Sequence, residues 1–325
     1  MKTKVFDIKA LNPETIRRAQ VFCEHDAIEA VEQAMAFVAE AARVLAAGGL
    51  VVFPTETVYG LGANAFDDEA VRRVYEAKGR PSDNPMIVHI ARASDIGQLT
   101  PTLSPAIVKL ADNFWPGPLT MVLDKKASVP DTVTGGLPTV AVRLPDEPAA
   151  VELIRLAGCP VAAPSANLSG APSPTRAEHV VADLDGKVDM ILAGSDCRIG
   201  IESTVVDMTV TPPEILRPGL LTADMLSAAI DGEVVYDRNL PRTEAPADPA
   251  DNEAAPKSPG MKYKHYAPKA EMLVVEGQRD KVAREVERLK QLNEKIGNKV
   301  GVLLFEEQAY IEAAHDFYAR LRSFD

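Results

Sequence analysis

The chain has 325 residues, 46% of them hydrophobic and 25% charged, enough to bury a full-sized core and divide into two domains, which excludes a disordered or fibrous protein. Thirty-five Lys and Arg against 47 Asp and Glu leave a formal charge of −12, which repels a phosphate backbone and argues against strong direct binding of nucleic acid. No apolar stretch approaches the roughly 20 residues of a bilayer span, the first residues lack a signal-peptide core, and Cys23, Cys159 and Cys197 form no C-x-x-C pair, so a cytoplasmic protein with no membrane attachment and no structural metal is expected.

Residues 1–28 read as an unassigned N-terminal extension. From Glu29 to Ala47, Val31, Ala34, Val38, Ala41 and Leu45 recur at helical spacing, and Gly48-Gly49 stops the helix. Leu50 to Phe53 is a β-rich run closed by Pro54, and Asp67-Asp68 opens an amphipathic helix carrying Val71, Val74 and Tyr75. Met86 to Ile90 reads as a strand, Ser104-Pro105 as an N-cap followed by proline in the first turn, and Thr120 to Leu123 and Thr139 to Leu144 as strands. Glu147 to Ala157 is a helix and Val161 to Ala163 a small buried strand. Thr175 with Glu178 predicts a capping box for a helix through Leu184. Strands at Asp189 to Leu192, Ser203 to Met208 and Glu214 to Arg217, a helix from Thr222 and a strand at Glu233 to Tyr236 complete a mixed α/β domain over 29–236.

Residues 237–268 differ in kind, with six prolines from Pro241 to Pro268 and no apolar periodicity, and read as a linker. Beyond it, strands at Met272 to Val275 and Lys299 to Phe305 and helices at Arg279 to Ile296 and Glu306 to Arg322 spell βαβα, a small Rossmann-like domain over 269–325 that is incomplete with two strands and two helices. Neither strand is followed by G-x-G-x-x-G, so no dinucleotide site is expected there.

Three loops concentrate polar chemistry. Pro54-Thr55-Glu56-Thr57-Val58-Tyr59-Gly60-Leu61-Gly62 follows a strand and offers hydroxyls and glycines, the ingredients of a ligand loop or of an ordinary turn. Lys78-Gly79-Arg80-Pro81 ends a helix; a lysine there compensates the helix dipole, yet two cations held two apart in a proline-stiffened loop also suit a polyphosphate and the charge that grows as pyrophosphate leaves. Ala163-Pro164-Ser165-Ala166-Asn167-Leu168-Ser169-Gly170 brings hydroxyl and amide groups out of a buried strand, as a phosphate or ribose site or a simple turn does. Arg143 within Thr-Val-Ala-Val-Arg-Leu reads most simply as a surface arginine on an edge strand, and His89 within Ile-Val-His-Ile as a satisfied core or rim residue. No Ser-His-Asp order, metal cluster or Walker loop occurs.

In order along the chain, PTETVYGLGANA, KGRPSDNPMIVHI, WPGPLT, TVAVRLP, APSANLSG with SPT, IESTVVD and LRPG resemble the L-threonylcarbamoyladenylate synthase family over about residues 36 to 236, and SPGMKYKHYAPKA followed by βαβα resembles its two-domain form. Two departures stand out: the stretch before Glu29 is longer than the family pattern, and the family's second domain ordinarily continues through another strand and helix. The resemblance implies a YrdC-like twisted mixed sheet, related to the double-stranded-RNA-binding-like fold, whose concave face holds a nucleotide. It implies that threonine's amine captures carbon dioxide from bicarbonate, that the carbamate attacks the α-phosphate of ATP, and that pyrophosphate leaves. Mg2+ is expected to arrive with ATP. A transferase complex then passes the threonylcarbamoyl group to an adenosine next to the tRNA anticodon.

By the same resemblance the K-x-R and S-x-N signature falls on Lys78, Arg80, Ser165 and Asn167. ATP also meets Asn84, Pro116, Ala141, Ser173, Arg217 and Tyr236, and threonine meets Thr55, His89, Thr120, Arg143 and Ser203. Arg143 can hold a carboxylate bidentately. Two other readings compete. A carbamoyl-adenylate-forming carbamoyltransferase of hydrogenase maturation needs zinc-finger and acylphosphatase segments that this sequence lacks, and a non-enzymatic RNA-binding module would use Lys78, Arg80, Arg143 and Arg217 as a basic patch. Within the linker, Lys262, Tyr263, Lys264, His265 and Tyr266 bring positive charge and aromatic surface with no acidic residue from Lys257 to Lys269, which predicts a lid over the nucleotide; the alternative is that the tyrosines only pack the linker.

Overall fold

A computed structural model describes residues 2–240, 270–304 and 310–324. Eleven strands form one mixed sheet: β1 (Lys4–Asp7), β2 (Val51–Phe53), β3 (Gly60–Asn64), β4 (Ile87–His89), β5 (Leu119–Asp124), β6 (Thr139–Arg143), β7 (Val161–Ala162), β8 (Met190–Ala193), β9 (Thr204–Asp207), β10 (Glu214–Arg217) and β11 (Val235–Tyr236). Their spatial order is β1-β8-β2-β3-β7-β4-β6-β5-β9-β10-β11. Parallel pairs such as β4 with β6 and β5 with β9 alternate with antiparallel ones such as β5 with β6.

Alternation along the strands decides what each face does. Val51 and Phe53 point into a core built with α2 (His25–Ala46) and α6 (Pro148–Ala157), whereas Leu50 and Val52 point into the larger core on the opposite face. That larger core includes residues of α3 (Asp68–Lys78), α4 (Pro105–Phe114), α7 (Ala177–Leu184) and α8 (Ala223–Ile230). The small separate cluster of Ile87, Val122, Ala141, Val205 and Leu216 floors the remaining strands. By strand periodicity His89 shares a face with Ile87, Arg143 with Ala141, and Thr120 with Val122. The polar side chains therefore stand where no helix of the first core covers the sheet.

Local signals account for many helix ends. Asp67 accepts hydrogen bonds from the amides of Glu69 and Ala70 at the start of α3, and Gly79 ends it in the left-handed conformation at φ +62°. Ser104 caps α4, accepting from the Ile107 amide. The expected capping box at Thr175 and Glu178 does not form: α7 starts one residue later with Arg176 at its cap position, the Thr175 carbonyl is engaged by the Cys197 amide, and Glu178 pairs with Arg176.

The segment expected to be an extension is part of the sheet and its cover. β1 pairs in parallel with β8 at the sheet edge, and α1 (Pro13–Val21), capped by Asn12, packs on α2, which itself begins at His25. Beyond residue 269, α9 (Arg279–Lys295) and α10 (Tyr310–Arg322) occur as expected, but the described residues of the two anticipated strands form no ladder. A parallel pair needs hydrogen-bonding neighbours and cover on its faces, and Met272, Leu273 and Val274 are instead exposed. Helix α10 docks on the first domain, where Tyr318 and Leu321 bury Val58 and Arg322 bonds the Pro172 carbonyl and the Asp183 carboxylate. The linker residues Lys262, Tyr263, Lys264, His265 and Tyr266 lie outside the described residues. Among the described residues no helix is long and apolar enough to cross a membrane.

Candidate active site

A pocket opens over the bare part of the sheet. Thr55, Lys78, Arg80, His89, Arg143, Ser165, Asn167 and Arg217 all line it. The end of α3, three loops and three strands that are distant in sequence thus meet.

At one end, Lys78 is the last residue of α3 and is 2% exposed. Its Nζ donates to the Ser165 carbonyl and, at 2.5 Å, to the Asn167 carbonyl, while its own carbonyl accepts from the Ser169 amide. The K-x-R and S-x-N segments are therefore stitched together. Burial, then the neighbouring Arg80, pushes the Lys78 ammonium well below its ordinary pKa. Arg80 donates from Nε to the Asn84 carbonyl at 3.2 Å and from Nη2 to the Pro85 carbonyl at 2.8 Å. Ser165 Oγ donates to Asn167 Oδ1 at 2.6 Å, and Asn167 Nδ2 donates to the carbonyls of Leu168 and Ala171.

At the other end, Arg143 is 2% exposed on a strand between β4 and β5, so it is neither an edge nor a surface residue. Its Nε donates to the Gly117 carbonyl at 3.2 Å, its Nη1 donates to Thr57 Oγ1 at 2.8 Å, and its Nη2 lies 2.6 Å from Glu56 Oε1. Thr55 Oγ1 donates to the Val58 carbonyl at 2.6 Å and lies 2.9 Å from Thr57 Oγ1. His89 sits edge-on to Phe53, and burial followed by the charge of Arg143 lowers its pKa to about 3, so the imidazole is neutral. Among the described residues its Nδ1 has no hydrogen-bond partner.

Between the two ends, Thr120 Oγ1 and Ser203 Oγ are 2.7 Å apart, and Arg217 donates from Nη2 to Ser203 Oγ and from Nε to the Ser203 carbonyl. Ser173 Oγ donates to Glu202 Oε1 at 2.8 Å. Thr120, Ser203 and Ser173 stand just behind the lining, Ala141 lies in the floor cluster, and Asn84 is buried beneath Arg80. Pro116 is exposed, next to the glycine whose carbonyl holds Arg143, and Tyr236 is 45% exposed on the far edge strand. Neither lines the pocket.

Two residues escaped the sequence reading. Glu56, 1% exposed, pairs with Arg143, and Glu202, 8% exposed, lines the pocket and joins Ser173 to Arg217 at 3.6 Å. Each is the acidic member of a hydroxyl-rich motif beside a strand, PTET and IEST, which was the available signal. Among the described residues no group of three or more metal-ligating side chains comes together.

Residues 43–219 match the family model described as telomere recombination, which spans Sua5, YciO and YrdC, and residues 221–325 match the threonylcarbamoyl-AMP synthase C-terminal domain. The chain belongs to the threonylcarbamoyl-AMP synthase family. A threonylcarbamoyl-AMP synthase of Pyrococcus abyssi is 51% identical over 81% of this chain and 75% of its own length, and one of Bacillus subtilis is 47% identical over 85% and 76%. The crystal structure of P. abyssi Sua5 complexed with L-threonine superposes with a TM-score of 0.81 at 44% identity, covering 90% of this chain and 86% of the other. The mixed sheet and two-domain arrangement of this synthase family are thus shared.

Proposed function

We propose that the chain joins L-threonine, bicarbonate and ATP into L-threonylcarbamoyladenylate, releasing pyrophosphate. The observation that carries this reading is the meeting of Lys78, Arg80, Arg217 and Arg143 around one pocket that also holds small hydroxyls. Bicarbonate gives up hydroxide to become carbon dioxide, the threonine amine nitrogen forms a bond to its carbon as one C–O π bond opens to the carbamate oxygen, and the amine's proton leaves with the hydroxide as water. A carbamate oxygen then forms a bond to the α-phosphorus of ATP as the bond to the bridging oxygen breaks, and pyrophosphate leaves with that electron pair. Lys78 and Arg80, already fixed by carbonyl oxygens, supply preorganised donors for the leaving group, and the negative charge of the bound polyphosphate favours the ammonium form of Lys78 that burial alone opposes. Ser165, Asn167 and Ser173 offer hydroxyl and amide partners to the nucleotide.

At the threonine end Arg143 takes the carboxylate, the Thr120–Ser203 pair and Thr55 face the side-chain hydroxyl, and neutral His89 accepts a hydrogen bond at Nδ1. Mg2+ enters with ATP as part of the substrate. A cytoplasmic transferase complex acting on tRNA consumes the product, which leaves this acidic chain no need to grip the nucleic acid. The test is pyrophosphate release. It should require threonine, bicarbonate and Mg-ATP together, and serine should be the poorer substrate by about 1 to 3 kcal/mol, the worth of one methyl contact. Release from ATP alone, or equal turnover of alanine, would overturn the reading.

A further inference from the structure

We propose that Glu56 is a positioning residue for substrate binding: it balances the charge of Arg143 side-on and thereby keeps the guanidinium fixed, with Nη2 donors unspent, for the threonine carboxylate. This rests on the assignment of Arg143 to that carboxylate.

The argument starts from what a buried guanidinium requires. Arg143 sits in the middle of a sheet face at 2% exposure, where an unbalanced cation is costly. Glu56 is more buried still, and Arg143 is its ion-pair partner. Their closest atoms are 2.6 Å apart, yet neither Glu56 oxygen nor Arg143 Nη2 makes a hydrogen bond of acceptable angle among the described residues. The two groups attract by charge without being aligned as donor and acceptor.

The other two nitrogens of the guanidinium are spent differently. Nε and Nη1 each donate within the protein, to the Gly117 carbonyl and to Thr57 Oγ1. These two bonds fix the plane of the group and leave Nη2 as its unspent corner. Buried polar groups are nearly always hydrogen-bonded, so an unsatisfied donor on a pocket-lining side chain marks a place for a ligand acceptor. An in-plane, bidentate Glu56 would have consumed those donors and left the pocket nothing to offer a carboxylate. The sequence P-T-E-T supplies both halves of the device, since Thr57 orients Arg143 and Glu56 neutralises it from adjacent backbone positions.

The experiment compares steady-state kinetics of the full chain with those of Glu56→Gln, Glu56→Asp and Arg143→Lys. Glu56→Gln should raise the KM for threonine about tenfold or more while leaving the KM for ATP within about twofold, the signature of lost substrate binding at one end only. Glu56→Asp, which keeps the charge one methylene further away, should fall between Gln and the parent. A merely structural role would instead lower the melting temperature and raise both KM values together, and that result overturns the proposal. So does an unchanged threonine KM in Glu56→Gln. Should the Gln variant not fold, the Asp variant decides by the same split between the two KM values. Arg143→Lys separates the two levels: a raised threonine KM there with an unchanged one in Glu56→Gln sinks the Glu56 role alone, whereas an unchanged threonine KM in Arg143→Lys sinks the carboxylate assignment itself.

Discussion

At the Lys78 end of the pocket main-chain carbonyl oxygens hold the cations, whereas at the Arg143 end a single carbonyl, that of Gly117, is joined by a hydroxyl and a buried carboxylate. The contrast follows from what each end has to bind. A neutral carbonyl fixes a lysine or arginine without cancelling its charge, which leaves that charge available to a triphosphate. A carboxylate cancels the charge and leaves shape and donor direction to do the selecting, which suits a small zwitterion. One pocket thus separates electrostatic strength from geometric precision.

The largest effect should come from removing charge at the nucleotide end. Lys78→Ala and Arg80→Ala should each lower turnover about a hundredfold or more, since a preorganised donor at a developing charge is worth roughly 3 to 4 kcal/mol. Pyrophosphate release measures it, with the melting temperature as control. Near-normal turnover in both would erase the contrast and reduce the two residues to cations compensating a helix end.

A second effect concerns the carboxylates behind the threonine end. Burial, opposed by Arg198 and reinforced by the charge of Glu56, raises the Glu147 carboxyl to about 7 from 4.5. A carboxyl whose folded pKa lies above its unfolded one costs stability that grows as pH rises from about 4.5 to about 7 and then levels off. Glu147→Gln should therefore stabilise the protein progressively across that window, by at most about 3 kcal/mol above it. Denaturant titrations at pH 5 and pH 8 read this out. Equal gains at both would show that Glu147 does not titrate between them.

The smallest effect lies where the two ends meet. Ser203 Oγ is shared by Thr120 and Arg217, so Ser203→Ala should weaken threonine and ATP alike, each by about 1 kcal/mol or several-fold in KM. A change in one KM alone would assign Ser203 to one end.

What could be read in advance was what local chemistry determines. Asp67 and Gly79 bracket α3 by side-chain capping and a left-handed residue, and both signals are contained in the helix's own ends. β3 is not legible, because Gly60-Leu-Gly-Ala-Asn reads as a loop; it is a strand because it pairs antiparallel with β2 and β7, and Gly62 is needed there because a Cβ would stand 2.7 and 2.8 Å from Phe53 and Val161. β1 was missed for a related reason, since its partner Met190–Ala193 lies at the far end of the domain sequence. Met272 to Val275 has a strand's composition, but composition cannot supply the neighbours a ladder needs. In the site, the cations and hydroxyls were legible from ordered motifs, and the two acids were not, because a carboxylate in an anion site makes sense only once Arg143 and Arg217 are known to need balancing.

Gly200 gives the contact between the domains a different quality from the rest of the packing. It sits at φ +76° beside Ile201 and Glu202, and any Cβ on it would run into the His315 carbonyl of α10. Hydrophobic contacts at Val58 and the Arg322 clasp can yield by rotamer changes, but backbone against backbone cannot. The seam therefore tolerates sliding and refuses thickening. The spacing between the terminal helix and the loop that carries Glu202 is set by an absent methyl group, a dimension that no repacking of side chains can widen or restore.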